Sequence, residues 1–208
     1  MSAPGQLIVC ETIFALRKAT ISAWMNDPYW VRSFAPDHSL APKWSVELFF
    51  ERGLIGEDQY EPHVYHHSLP LTLRNWQQLA GFACEWNDST DESGKPKGGF
   101  YLWQHGSIIE GRLNLHRVGG TCFRVEWSGV CETLIDDSAQ SVSPFSLTAE
   151  TEFTGVTMAA SESESDSEVQ ERFALCFEVP DFLRGENVWQ GSYDSGTGVR
   201  QVLFKPRL

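Results

Sequence analysis

Around a pair of glycines, residues 111–130 read GRLNLHRVGGTCFRVEWSGV, two runs in which apolar and polar positions alternate. Alternation puts successive side chains on opposite faces of a strand, so the stretch is a β-hairpin whose loop length decides which faces meet. A loop of Gly119 and Gly120 alone sets Leu115 opposite Arg124 and Leu113 opposite Glu126, mixing apolar with charged positions. Adding Thr121 to the loop sets Leu115 opposite Val125 and Leu113 opposite Trp127, with His116 meeting Arg124 and Asn114 meeting Glu126. A one-residue slip swaps every side chain between faces, so the second register is expected. A three-residue loop with glycine in the left-handed region is a common way to close it. One face is then apolar. The other carries Arg112, Asn114, His116, Arg124 and Glu126, an ordinary solvated face in the simplest case.

From about residue 79 the pattern predicts eight strands: Leu79 to Trp86, Gly99 to His105, Ile108 to Arg117, Cys122 to Leu134, Phe145 to Met158, Val169 to Val179, Asn187 to Tyr193 and Val199 to Lys205. FALCFEV is the clearest run, with Phe173, Leu175, Phe177 and Val179 on one face. The separators NDSTDESGKPKG, SESESDSE, PDFLRGE and DSGTG are turn chemistry, and no helix is expected in this half. SESESDSE, residues 161–168, reads as a solvated, replaceable loop. Its Ser161, Ser163 and Ser165 each precede an acid by three residues, a pattern open to phosphorylation.

The first 78 residues are less decided. ETIFALRKATISAWM fits a helix through Phe14, Ile21, Trp24 and Met25 or strands through Thr12, Phe14 and Leu16. PKWSVELFFERG has the same ambiguity, with Pro42 and Gly53 bracketing it like a short helix. YEPHVYHHSLPLTL reads as extended. The expectation is a mainly β protein: an N-terminal α/β extension, 1–78, packed on an antiparallel up-and-down eight-stranded barrel or related sandwich, 79–208.

Composition then narrows the function. A formal charge of −12 lacks the basic footprint that nucleic acid or an anionic membrane requires, and it leaves a basic protein as the alternative partner. Five scattered cysteines without a Cys-x-x-Cys pair suggest free thiols rather than a disulfide framework or zinc knuckle. The N-terminus does not read as a signal peptide, and no window approaches a membrane span, so a cytoplasmic location is expected.

LAGFACEW followed by GGFYLWQHGSIIEGRL, with NVWQGSY near the end, resembles lipocalin-like and avidin-like (calycin-type) barrels, in which a glycine and a tryptophan on the first strand precede hairpins with glycine turns. The resemblance covers roughly residues 79–206. It implies a barrel that binds one small ligand in its lumen, without catalysis.

The candidate residues follow from that expectation. A partly apolar or aromatic ligand would lie beside the small pair Gly81 and Ala83, walled by Tyr101 and Trp103 or by Phe100 according to the face turned inward. Arg112, Arg124 and His116 are the polar candidates. No cofactor is implied. An acidic inhibitor or immunity-type interaction module is the alternative. A metal-dependent enzyme using His63, His66 and His67 of HVYHH is the second: imidazoles suit transition metals, and His63 and His67 share a strand face. No Gly-x-Ser-x-Gly elbow, phosphate loop or distinctive carboxylate pair supports an enzyme.

Overall fold

A computed structural model describes residues 5–26, 28, 31–32, 40–92, 94, 96–102, 104–134, 140–161, 163–190 and 199–208. The protein is mainly β. Its strands are β1 (Gly5–Val9), β2 (Thr12–Met25), β3 (Lys43–Phe50), β4 (Gly53–Ile55), β5 (Asp58–Tyr60), β6 (His63–Leu69), β7 (Ala83–Trp86), β8 (Gly99–Tyr101), β9 (His105–Gly119), β10 (Cys122–Leu134), β11 (Gln140–Ala160), β12 (Phe182–Gln190) and β13 (Val199–Pro206), and residues Asp166–Cys176 form helix α1.

Eight of the strands close on themselves in sequence order: β1, β2, β3, β6, β8, β9, β10, β11. Neighbours are antiparallel, and β11 completes the ring by pairing antiparallel with β1 and then, beyond that short strand, parallel with β2. β7 pairs with β9 beyond the reach of β8, while β13 and β12 continue from β11 outside the ring. The expected up-and-down, eight-membered antiparallel architecture is therefore present, but its staves differ from those expected. Residues 5–69 supply four of them, so the N-terminal region is part of the ring wall and not an extension packed on a barrel of residues 79–208. PKWSVELFFERG contains strand β3 and not a short helix: Trp44, Val46, Leu48 and Phe50 alternate inward with period two.

The hairpin of β9 and β10 has the expected register. Leu113 faces Trp127, Leu115 faces Val125, His116 faces Arg124 and Asn114 faces Glu126, with all four apolar residues buried and Gly120 at φ +54° in the turn. The loop is shorter than the expected three residues: Gly119 pairs with Cys122 across Gly120 and Thr121, and a bulge at Val118 restores the register.

FALCFEV is not a strand. Residues 166–176 are helical, started by a capping box in which the Ser165 side chain receives the Glu168 amide and the Glu168 carboxylate receives the Ser165 amide. Val169, Phe173 and Phe177, spaced by four, face the core, whereas Leu175 is 78% exposed. The acidic stretch before the helix is held too. Glu164 pairs with Arg172 at 3.0 Å, both side chains nearly buried, and Asp166 receives Arg200 at 2.5 Å and Arg184 at 2.7 Å. These guanidiniums hold the exposed Asp166 carboxyl below its ordinary range, the hydrogen bond from Arg184 contributing most.

The ring interior is filled. Trp127 packs edge-on to Trp86 at 6.0 Å and close to Phe145 at 6.2 Å. Trp76 stacks on Phe153 at 5.9 Å, and Phe153 meets Trp44 at 5.6 Å. Phe177, the residue capping α1, lies against Trp44 at 6.0 Å, and Phe173 of α1 stacks on Phe204 at 3.9 Å. Among the described residues, no helix is long and apolar enough to cross a membrane.

Candidate functional site

Because inward positions are spent on the core, chemistry is left to the outer face. β6 shows the division: Val64, His66 and Leu69 are buried, while His63, Tyr65 and His67 face outward. The registers then carry His63 into a row across four strands. Phe49 on β3 lies opposite His63, His63 opposite Tyr101 on β8, and Tyr101 opposite His105 on β9. Strands about 4.8 Å apart place such residues in ring contact. Phe49 and His63 stack at 4.0 Å with their planes 8° apart, and Tyr101 and His105 meet at 4.9 Å. Along β6, Tyr65 lies 4.9 Å from His63 and 4.4 Å from His67.

Tyr65 is positioned by an absence. It leans across Gly99, where an added Cβ would come within 2.1 Å of its ring, and its hydroxyl reaches Nδ1 of His105 at 3.3 Å. Burial pushes the Tyr65 phenol up. Burial, assisted by His67 and His105, brings His63 down to about 4, so its imidazole is neutral at pH 7.

At the Phe49 end this row borders a groove of about 550 Å³ lined by Phe49, His63, Tyr101 and Leu102, with Arg17, Arg52, Gln59, Tyr60 and Glu61 around them. Arg17 is the residue displaced by a bulge between Leu16 and Lys18 of β2. Its guanidinium lies 5.8 Å over the Phe49 ring and pairs with Glu61, and Arg52 approaches the same carboxylate at 3.7 Å. The groove thus joins aromatic surface to a small polar rim, the composition usual for a small-molecule site.

The sequence candidates are dispersed by the fold. Tyr101 lines the groove. Phe100 points the opposite way, fully buried against Phe145 at 5.7 Å. Trp103 lies outside the described residues. Arg112 is exposed beside a separate concavity with Glu85, Glu110 and Gly129. Arg124 pairs with Glu150 at 3.5 Å and His116 with Glu126 at 3.6 Å, both on the solvated face. Gly81 and Ala83 are exposed, with open space beside Gly81, so they border no enclosed cavity.

His63, His66 and His67 do not converge on one point. Four residues along a strand separate the backbones of His63 and His67 by about 13 Å, with the Tyr65 ring standing between them. His66 faces the interior, edge-on to Trp86 at 5.4 Å. Among the described residues no group of three or more His, Cys, Asp or Glu side chains is placed to hold a metal ion. The residues missed in the sequence are Phe49, Arg17 and Arg52; Glu61, which the sequence offers beside HVYHH as a possible metal ligand, is instead the partner of the two arginines.

The fold and this groove define the class: a mainly β protein on a closed eight-strand antiparallel ring with a filled interior and an aromatic groove outside. No family model, curated protein or solved structure matches the chain.

Proposed function

We propose that the protein is a non-enzymatic binder of a small, partly aromatic ligand, and that the ligand is taken on the outer face. The resemblance to lipocalin-like barrels pointed to a lumen, but the inward strand positions hold Trp44, Trp127, Phe123 and Phe153, and Trp76 from the segment between β6 and β7 stacks on Phe153, which leaves it filled. The observation that carries the reading is the groove of about 550 Å³ walled by Phe49, His63 and Tyr101, within the size range of small-molecule sites.

Calorimetric titration with 2-naphthol tests it. The wild type binds the probe, and Tyr101→Ala weakens binding at least tenfold while the melting temperature stays within a few degrees. Equal binding by the two proteins overturns the assignment. A second reading, an acidic surface that meets a basic protein, is favoured by the charge of −12. Exposed Glu85, Asp88, Asp91 and Glu92 on β7 and the segment after it, with Glu110 on β9, support it.

A further inference from the structure

We propose that the groove selects a planar organic anion, an aromatic carboxylate, whose ring lies against Tyr101 and Phe49 and whose carboxylate takes Arg52 and Arg17 in place of Glu61. The proposal rests on the binding reading above and specifies its ligand. In a chain of net charge −12, the charged side chains lining this groove among the described residues are two guanidiniums against a single carboxylate. The surplus is cationic where the rest of the molecule is acidic, and His63, neutral at pH 7, does not alter the count.

The donors are available. Arg17 and Arg52 each meet Glu61 through one nitrogen, whereas a guanidinium carries five N–H donors in a fork suited to carboxylates. Both side chains are within reach of solvent, 46% exposed for Arg17 and 65% for Arg52, and Glu61 itself is 38% exposed. Glu61 therefore acts as an internal carboxylate already seated on the site, one that an incoming carboxylate with an aromatic ring displaces because it adds ring contact to the same charge pairing. Lys18 strengthens the cationic side, since the β2–β3 register sets it opposite Phe49 on the outer face.

The discriminating pair is 2-naphthoate and its uncharged twin 2-naphthamide, titrated calorimetrically into the full-length protein at pH 7. Hydrogen bonds to charged groups discriminate by about tenfold or more, so naphthoate binds at least tenfold tighter. Arg52→Gln abolishes that preference by bringing naphthoate affinity down toward that of the amide. Glu61→Gln, which removes the resident competitor, tightens naphthoate severalfold. That gain cannot come from a damaged fold. Equal affinities for the two probes, or a preference unmoved by both substitutions, overturn the anionic class. If the amide still binds in a Tyr101-dependent way in that case, the groove survives as a site for neutral rings. If neither probe responds to Tyr101→Ala, the groove reading falls with it.

Discussion

Replacing Trp127 by alanine separates a filled ring from a hollow one. The indole is 1% exposed and lies between Trp86, Phe145 and His66, at centroid distances of 6.0, 6.2 and 6.3 Å. Truncation removes the transfer free energy of the ring and leaves a cavity that rigid neighbouring strands collapse only in part, a combination that costs about 3–5 kcal/mol for buried tryptophan. One feature moderates the loss: the Trp127 Nε1–H has no hydrogen-bond partner among the described residues, and an orphaned buried donor already costs about 1–3 kcal/mol. Removing the ring relieves that cost, so the lower half of the range, about 3–4 kcal/mol, is expected. Trp127→Phe removes the same donor with less volume and is expected within about 1.5 kcal/mol of wild type. Urea unfolding followed by far-ultraviolet circular dichroism reads both, with the m-value unchanged if the transition stays two-state. For a chain of this size the alanine variant melts about 6–16 °C lower. A loss below 1 kcal/mol for Trp127→Ala would mean that the ring stands beside open space, and the filled interior would be wrong.

The remaining predictions concern parts of the fold with distinct physical origins. Ser165→Ala removes the helix cap and lowers stability by about 1 kcal/mol in the same urea assay; no change would mean the capping box is idle. His66, buried and brought down to about 4 chiefly by desolvation, binds its proton more readily in the unfolded chain. Its contribution is therefore full above pH 6.5 and lost as pH falls toward 4, at most about 3 kcal/mol. His66→Gln should flatten the fall in Tm over that window, and an unchanged fall would assign it elsewhere. Cys10 and Glu11 both sit at positive φ, 48° and 58°, in the two-residue turn between β1 and β2. Glu11→Gly should raise stability by about 0.5–1 kcal/mol in thermal melts, because glycine takes that conformation freely, and a loss would show that the Glu11 side chain holds the turn.

How far these features could be read in the sequence depended on where their causes lie. The β9–β10 register was legible because two alternating runs constrain each other across a short loop, and only one pairing buries Leu113, Leu115, Val125 and Trp127 together. β3 was misread because Pro42 and Gly53 look like helix punctuation, although Trp44, Val46, Leu48 and Phe50 already alternate. For α1 the alternation of Phe173, Leu175 and Phe177 was accidental. Ser165 and Glu168, spaced as a capping box, were the better signal, and the helix they start leaves Leu175 in solvent. The groove has no local signature. Phe49, His63, Tyr101 and Arg17 lie far apart in sequence and become neighbours only through strand pairing and one bulge, so HVYHH drew attention as metal chemistry when its outward residues extend an aromatic row.

The central claim is that the ring is filled and its ligand lies outside. Nuclear magnetic resonance with 2-naphthol as titrant addresses both halves in one spectrum series, using the buried Trp127 Nε1–H as the interior reporter and the ring signals of His63 and Tyr101 as exterior ones. The account predicts saturable shifts at His63 and Tyr101 with Trp127 unmoved. Shifts at Trp127, Leu113 and Val125 with the outer row silent would place the ligand in the interior and contradict it.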